Sequence, residues 1–417
     1  MVNKEQKTAL SFLIISKAFE RLAFYSIFAI FIFYLTDNLK MSIDEAGGFY
    51  STFYLSVGVS TLLFGFLGDF INRQKLVKIG MLLMTVFYLV LIFPPVSLFI
   101  QQAVFIALGI CIGMTVPNTI VFLGNIYNER KMQILGLSGF IFFSLAIEFG
   151  AFIAPALSNA FREVIGYNSV FVLAFIFALI SFVLYLFFDK KYSKLKLFAE
   201  QRKKTEPKFK NLNITILVSI LVIGVILKMV LYQKDLSLNN YIRDFVANGH
   251  DLVSRLQNID KRFSLLILIF FGIVIAKLKK LNWDILFKLI FIGSIISAIV
   301  YIFMAFNGNE AGEKMNSALM IGLYTILLLF EAIISVIIFY AIYRASPIRY
   351  KGLFQGLTLF IFFMTNKFLF VGSTIYEHVG SVTFIGFSLF FILGAVLILV
   401  LMKAVESKKK KLIEIEN

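Results

Sequence analysis

Long apolar runs recur along the whole chain, and the stretches between them hold most of the charged residues. Twelve runs are long enough to cross the hydrocarbon core of a bilayer, which takes about 20 helical residues. They lie at 9–35, 46–70, 76–95, 99–126, 133–158, 168–188, 212–233, 262–280, 284–306, 315–343, 352–376 and 381–403. Gly and Pro inside several runs are tolerated in packed membrane helices. The pattern predicts an all-α polytopic membrane protein with 12 transmembrane helices.

Basic residues divide unevenly between the two alternating sets of loops. Most Lys and Arg lie at the termini and in every second loop, with a cluster at 190–210. Because cytoplasmic loops carry the excess of Lys and Arg, both termini are predicted to be cytoplasmic, and the protein to reside in the cell (inner) membrane. The basic loop separates six spans from six. The sequence predicts an N-terminal six-helix bundle at 1–188, followed by a basic cytoplasmic linker at 189–211. A C-terminal six-helix bundle at 212–404 and a basic cytoplasmic tail at 405–417 follow.

The other long loop, 233–262, lies on the opposite side of the predicted membrane. Its apolar positions indicate a short amphipathic helix, which either packs on the outer surface, the favoured alternative, or caps the outer mouth. These positions are Tyr241, Phe245, Leu252, Val253 and Leu256.

Composition narrows the function. The 417 residues are 60% hydrophobic and only 15% charged, with mean hydropathy +0.90 and net charge +16. The basic residues follow the loops and are not interleaved with the aromatic ones, so no nucleic-acid partner is expected. A lone Cys111 and two distant histidines, His250 and His378, give no disulfide and no metal site. No catalytic constellation, cofactor motif or P-loop is found, and we expect neither an enzyme nor direct ATP drive.

Three charged residues interrupt the first span, at Lys17, Glu20 and Arg21. Lys17 lies three and four positions before Glu20 and Arg21, and Phe24 and Phe28 continue the series at three- and four-residue spacing, so the five residues share one helical face. Ionisable groups at membrane depth are costly and face a water-filled cavity or one another. This face is therefore predicted to line a transport pathway.

A second motif lies between the second and third spans. It reads Gly65-Phe66-Leu67-Gly68-Asp69-Phe70-Ile71-Asn72-Arg73-Gln74-Lys75. Gly65 and Gly68 would let helices approach closely, and Asp69 would accept from a helix N-terminus or pair with Arg73. The stretch resembles the signature of the major facilitator superfamily, whose plan of two six-helix halves matches the 6+6 arrangement. The resemblance implies a conformational latch formed by Gly65, Gly68, Asp69 and Arg73.

Further stretches resemble one branch of that superfamily, the proton-dependent oligopeptide transporters. The first span resembles the family's ExxERFxYYG helix, the fourth its G-x-x-KPN stretch and the fifth its FYxxINxGS segment. The tenth span resembles its glutamate helix. The matching stretches are Lys17 to Ser26, Gly113 to Asn118, Phe143 to Ala151, and Glu331 to Pro347. The resemblance runs from the first span to the eleventh and implies a divergent member of this family.

The resemblance also implies roles, and the departures alter them. In the family, the first-span charges and a fourth-span lysine couple proton movement to peptide binding. Here Lys17 replaces a glutamate, Val116 that lysine, Glu148 an asparagine, and Phe28 an arginine. The residues expected to carry the cavity charge and to couple protons are Lys17, Glu20, Arg21 and Glu148. Those expected to bind the substrate are Tyr25, Asn118, Glu331 and Lys367. Lys17 is expected to pair with Glu148 or Glu20, because buried charges need partners.

Two of these roles have alternatives. Glu331 either receives a cationic group of the substrate or pairs with Lys228 or Lys367 in a purely structural role. Lys367 lies in the middle of the eleventh span, where a lysine needs a cavity or an acidic partner, and it could bind a substrate carboxylate. Lys228 is nearer the span's outer end and is expected to snorkel to the interface.

The leading functional prediction is a secondary active transporter that works by alternating access. Its cargo would be a di- or tripeptide or another small zwitterionic or anionic solute, coupled to protons if Glu20, Glu148 or Glu331 titrates. The oligomeric state is left open, and a monomer is compatible with the plan. The alternative is a degenerate carrier fold that acts as a non-transporting membrane scaffold or sensor.

Overall fold

The computed structural model describes residues 4–93, 97–127, 136–195, 211–277, 283–307, 314–365 and 369–416. Within these ranges the chain is almost entirely helical. The described residues contain no β-strand, only a single bridge between Val246 and Met315. The all-α polytopic prediction is confirmed, since ten helices in this part of the chain are long and apolar enough to cross a membrane. The count of twelve spans stays a prediction.

Six long helices form the first part of the chain, and each covers one predicted span. They are α1 Lys4–Phe33, α2 Ile43–Phe70, α3 Arg73–Ile92, α4 Leu98–Tyr127, α5 Gly136–Ile165 and α6 Tyr167–Tyr192. Side-chain caps determine where some of these helices begin. Ser42 and Glu45 form a capping box at α2, and the Asn72 side chain accepts from the Lys75 amide at α3.

The first helix is the centre of this group. It packs against α5 and α6, while α2 packs on α4, and α3 on both α4 and α6. Two serines join α1 to α6 reciprocally: the Ser16 hydroxyl donates to the Ser181 carbonyl at 2.9 Å, and the Ser181 hydroxyl to the Ser16 carbonyl at 2.7 Å. On the other side α5 comes so close that a Cβ on Gly150 would lie 2.7 Å from the Cβ of Arg21. The middle of α1 is therefore enclosed by its neighbours.

The second part of the chain continues the pattern with long and short helices. They are α7 Asn211–Leu231, α8 Ser237–Phe245, α9 Gly249–Lys277, α10 Trp283–Asn307, α11 Ser317–Ala345, α12 Lys351–Thr365, α13 Leu369–Val379 and α14 Thr383–Glu416. Short 3₁₀ segments at Tyr232–Asp235 and Ile348–Tyr350 follow α7 and precede α12. Here α14 packs on α7 and α10, and α11 packs on α7, α9 and α10.

The short amphipathic helix predicted in the 233–262 loop is present as α8, and one point about this loop is corrected. The segment forms two helices, α8 and the start of α9, because α9 begins at Gly249 rather than at the apolar run near residue 262. Specific contacts hold α8 in place. Tyr241 is fully buried and its hydroxyl donates to the Met304 carbonyl at 2.9 Å, while the Tyr376 hydroxyl donates to Asp244 at 2.7 Å.

The chain divides into two compact units. The first comprises Met1–Pro207 together with Ile348–Phe360, and the second Lys208–Pro347 together with Ile361–Asn417. The division at Pro207 lies inside the predicted linker 189–211. The segment Ile348–Phe360, which the sequence assigns to the C-terminal bundle, belongs to the first unit because it contacts α2. The domain limits at 1–188, 189–211, 212–404 and 405–417 stay predictions.

Candidate functional site

A tight group of charges lies in the middle of α1, within the first unit. The Lys17 ammonium is 2.5 Å from one carboxylate oxygen of Glu20. The Arg21 guanidinium donates to both oxygens of Glu20, at 2.9 and 2.8 Å. Lys17 is 2% exposed, Glu20 fully buried and Arg21 9% exposed. We call Lys17, Glu20 and Arg21 the first charge group.

Two cations share one carboxylate in this group, so the three ionised side chains carry a net charge of one positive unit. Aromatic rings complete the surroundings of the cations. The Lys17 ammonium lies 5.8 Å from the Phe143 ring centroid, and the Arg21 guanidinium 5.0 Å from that of Phe24. A buried ion pair needs good geometry to offset desolvation, and the bidentate Arg21–Glu20 contact supplies it. The surplus positive charge makes the group suited to an anionic ligand.

The predicted neighbours of this group lie beside it. Tyr25 is half-buried, one turn after Arg21, and its ring meets the Phe24 ring edge-on with centroids 5.1 Å apart. Glu148 is half-buried on α5, two residues before Gly150, where α5 touches Arg21. Of the two pairings expected for Lys17, the contact with Glu20 is observed. The pairing with Glu148 stays a prediction.

An aromatic cluster stands where the resembling family has an arginine. Phe28 stacks on Phe24 with centroids 4.2 Å apart, and also meets Phe53 at 4.9 Å and Tyr54 at 5.3 Å. These rings come from α1 and α2. The face of α1 beyond Arg21 is thus apolar, so the charges on this face are confined to the turn from Lys17 to Arg21.

The motif between α2 and α3 forms a connected set of polar contacts. Asp69, at the end of α2, accepts from the Gly352 amide at 2.9 Å and from the Leu353 amide at 2.8 Å. Both amides belong to the first turn of α12, where unpaired N–H groups and the helix dipole favour an anion. Arg73 also forms an ion pair with Asp69. From here on, the latch denotes Asp69, Arg73, Gly352 and Leu353, which all lie in the first unit. That Gly65, Gly68, Asp69 and Arg73 act as a conformational latch stays a prediction.

Asn118, predicted to bind substrate, lies beside the latch. Its amide nitrogen donates to the Phe64 carbonyl at 3.0 Å and the Met114 carbonyl at 2.9 Å, and its oxygen accepts from Arg73 at 3.0 Å. A side chain at Gly68 would collide with this amide. Asn118 is completely buried, and these contacts with the protein orient Arg73 toward Asp69. Substrate binding by Asn118 stays a prediction.

Glycines bring α2 and α12 into backbone contact. A Cβ on Gly65 would lie 2.5 Å from the Gly352 carbonyl oxygen, and one on Gly356 would fall on the Thr61 carbonyl oxygen. Gly352 and Gly356 are four residues apart, the spacing that lets two membrane helices pack without intervening side chains. This approach places the first turn of α12 at the Asp69 carboxylate.

A second group of charges lies in the second unit, around Lys234. Its ammonium is 2.8 Å from Asp260, 3.3 Å from Glu331 and 3.3 Å from Asp235. Lys228 approaches the other oxygen of Glu331 at 3.8 Å. The side chains of Lys234, Asp260 and Glu331 are 7%, 10% and 17% exposed. Lys228, Lys234, Asp235, Asp260 and Glu331 are the second charge group.

One expectation about this region is corrected, and one of the alternatives given for Glu331 is observed. Lys228 does not snorkel: its side chain is 7% exposed and lies 4.8 Å from the Tyr232 ring centroid as well as near Glu331. Glu331 contacts two lysines, so the pairing with Lys228 considered above does form. Its substrate-binding role stays a prediction. Lys367 lies outside the described residues.

Sequence reasoning missed Lys234 and Asp260, because both stand at the ends of apolar runs, where charges are read as loop residues. Lys234 follows α7 in a 3₁₀ turn, and Asp260 lies well inside α9. The continuation of the apolar pattern through Leu252, Val253 and Leu256 was the signal that α9 begins early. That early start would have placed Asp260 inside a long helix.

Spanning helices with ion pairs in their interior define an integral membrane protein of the transporter class. A family model described as Major Facilitator Superfamily matches residues 13–366. The chain belongs to the Major Facilitator Superfamily.

The individual proteins that the chain resembles have low sequence identity to it. A di-/tripeptide transporter of Lactococcus lactis subsp. cremoris is 26% identical over 266 residues, covering 59% of this chain and 51% of that protein. The chain thus matches about half the length of this curated relative. The crystal structure of a POT family transporter in complex with 5-aminolevulinic acid superimposes with TM-score 0.63 at 16% identity, covering 94% of this chain and 95% of that one. The human organic anion transporter MFSD10 (TETRAN) gives TM-score 0.69 at 13% identity, covering 95% and 100%. At such identities the two structures support the fold alone.

Proposed function

We propose that the protein is a secondary active transporter for small solutes that carry an amino group and a carboxylate, with di- and tripeptides as the leading class. Alternating access would expose the solute site to each side of the membrane in turn. The latch would be made in one conformation and broken in the other.

The observation that carries the proposal is the burial of ionised groups inside spanning helices of both units. Charges at membrane depth are costly and are retained where they face a substrate or ion pathway. The first charge group has a surplus positive charge, suited to a carboxylate, and the second contains Glu331, suited to an ammonium group. A non-transporting scaffold has no need of either.

The relatives support the substrate class. One is named a di-/tripeptide transporter, and one solved structure holds 5-aminolevulinic acid. A free dipeptide and that acid share an amino group and a carboxylate. Glu331 would receive the amino group, since charge-assisted hydrogen bonds are stronger than neutral ones.

Proton coupling is proposed through Glu331 or Glu148 rather than Glu20. A proton on Glu20 would leave Lys17 and Arg21 with no counter-charge, and like charges at such short range repel strongly. By the positive-inside rule both termini are proposed to lie in the cytoplasm, with the protein in the cell membrane.

Uptake by reconstituted protein tests the proposal. Purified wild type and Glu331→Gln are placed in liposomes with an imposed inward proton gradient, and uptake of radiolabelled Ala-Ala is followed. We expect gradient-stimulated uptake by wild type and a loss of tenfold or more in Glu331→Gln, about the size of one lost charge-assisted contact.

The matched control is Glu377→Gln, which removes an exposed carboxylate from α13 of the same unit. It should transport as wild type does. Absence of uptake by wild type across a panel of di- and tripeptides and 5-aminolevulinic acid would contradict the proposal. Uptake without gradient stimulation would contradict only the coupling.

A further inference from the structure

Lys234 holds a central position in the second charge group. Its ammonium bridges Asp260, on α9, and Glu331, on α11, and it contacts Asp260 more closely than Glu331. An ammonium has three donors, and the adjacent Asp235 lies within reach of the third. Lys234 therefore keeps two carboxylate partners if Glu331 turns away.

We propose that Lys234 is an internal competitor for Glu331: it occupies the position that the substrate's ammonium takes, and it withdraws to Asp260 when substrate binds. The inference rests on the proposed function, in which Glu331 receives the amino group. It adds Lys234 and Asp260 as the residues that set the affinity for that group.

The chemistry of the exchange is balanced. One ammonium leaves Glu331 and another arrives, so Glu331 is never left buried without a counter-charge, which would be strongly unfavourable. Lys234 retains Asp260 at 2.8 Å, the shortest of its three contacts. Glu331 is also the more exposed of the two buried carboxylates, at 17% against 10% for Asp260. A ligand therefore reaches Glu331 more readily than Asp260.

Lys228 does not take the same role. Its ammonium is 3.8 Å from Glu331, beyond hydrogen-bond distance, and lies over the Tyr232 ring. It adds positive charge near Glu331 without occupying an acceptor position of its carboxylate. Nor is a metal ion the expected occupant, because the described residues contain no group of His, Cys, Asp and Glu arranged to hold one.

A charge-conserving double variant tests the exchange. Lys234→Met with Asp260→Asn removes one positive and one negative charge and leaves Glu331 without its competitor. Binding of Ala-Ala and of N-acetyl-Ala-Ala, which has no ammonium, is measured on purified protein. The double variant should bind Ala-Ala about tenfold more tightly than wild type and N-acetyl-Ala-Ala equally well.

The control is Lys288→Met with Asp284→Asn, which removes an exposed ion pair from α10 in the same charge-conserving way. Both probes should bind it as they bind wild type. Unchanged or weaker Ala-Ala binding by a double variant that unfolds at the wild-type temperature would overturn the inference.

Lys234→Arg provides a second test if the double variant fails to fold. The planar guanidinium can hold Asp260 and Glu331 together, so it should compete more strongly and weaken Ala-Ala binding several-fold. Wild-type affinity for Ala-Ala in a folded Lys234→Arg protein would overturn the inference.

Glu331→Gln separates this inference from the proposed function. If Glu331 receives the ammonium, this variant no longer prefers Ala-Ala over N-acetyl-Ala-Ala. A preference that survives contradicts the proposed site and the exchange with it, as does a wild type that binds neither probe. A preference that is lost in Glu331→Gln, with no gain in the double variant, refutes the exchange alone.

Discussion

The carboxylate of Asp69 accepts a hydrogen bond from the backbone amide of Gly352, although 283 positions separate the two residues in the chain. The contact holds the end of α2 against the first turn of α12. Because the second carboxylate oxygen accepts from Leu353 and Arg73 pairs with the same group, one side chain organises the whole latch.

Replacing Asp69 by Asn should weaken the latch. The amide keeps one acceptor oxygen but loses the charge. One N–H of α12 therefore loses its partner, and Arg73 loses its ion pair while it keeps its hydrogen bond to Asn118. Hydrogen bonds to charged groups contribute about 1.5–3 kcal/mol, and the free energy of unfolding should fall by about that amount. Ala-Ala uptake should fall several-fold if the latch is part of the cycle. SDS-induced unfolding and liposome uptake measure the two effects.

Asp44→Asn is the matched control, because Asp44 is an exposed carboxylate in the first turn of α2. It should change neither quantity. Wild-type stability in Asp69→Asn would show that the α12 amides do not depend on the charge.

Backbone contact between α2 and α12 predicts intolerance of a methyl group at Gly65. The added Cβ would meet the Gly352 carbonyl oxygen, a backbone atom that cannot move aside without separating the helices. Overpacking of this kind costs about 1–3 kcal/mol, so Gly65→Ala should lower the free energy of unfolding by that amount or more. SDS-induced unfolding measures it.

Gly48→Ala, on the same helix, is the control, since a Cβ there meets nothing within 4 Å. Alanine favours a helix over glycine by about 1 kcal/mol, so this variant should be as stable as wild type or more so. Equal behaviour of the two alanine variants would contradict the close approach.

The fold could be predicted because bilayer thickness imposes long apolar helices, and these are visible as runs in the sequence. The first charge group could be predicted too, since Lys17, Glu20 and Arg21 lie on one helix and the helical repeat alone brings them together. Their pairing needed only the rule that buried charges find partners.

The second charge group could not be predicted in this way. Lys234, Asp260 and Glu331 come from three separate elements, and only tertiary packing unites them. Lys234 also follows an apolar run, where a charge looks like a loop residue. Asn118 shows the same limit: its position on α4 was predicted, but its contacts with Phe64 and Arg73 depend on how α2 and α3 pack.

The reciprocal hydrogen bonds between Ser16 and Ser181 should stabilise the packing of α1 on α6. Either alanine variant removes one donor and leaves a buried carbonyl with one partner fewer. Hydrogen bonds between membrane helices average about 0.6 kcal/mol and reach about 1.7, so each single variant should lose an amount in this range. The double variant should lose less than the sum, because the two bonds are coupled.

Ser11→Ala is the control for the comparison of the Ser16 and Ser181 single variants with the double variant. Its hydroxyl is exposed and donates only to the Lys7 carbonyl one turn back on α1. It should leave SDS-induced unfolding unchanged. Strict additivity of the Ser16 and Ser181 variants would mean that the two hydroxyls act independently.

The geometry of the first charge group predicts different effects on stability for Glu20→Gln and Lys17→Met. Glu20→Gln leaves Lys17 and Arg21 buried without a counter-charge, and the free energy of unfolding should fall by about 3–5 kcal/mol. Lys17→Met leaves the bidentate Glu20–Arg21 pair intact and replaces a buried ammonium by an apolar side chain, so stability should stay near wild type or rise. SDS-induced unfolding of the two variants checks this asymmetry.

Transport should respond to Lys17→Met through charge rather than stability. The group loses its surplus positive charge, so uptake of Ala-Ala should fall, whereas uptake of Ala-Ala-amide, which has no carboxylate, should be unchanged. Lys7→Met, an exposed lysine on the same helix, controls for the loss of a charge from α1. An equal loss for both probes would show that the charge of Lys17 does not act through the substrate carboxylate. A Lys17→Met protein as unstable as Glu20→Gln would make Lys17 a structural partner of Glu20.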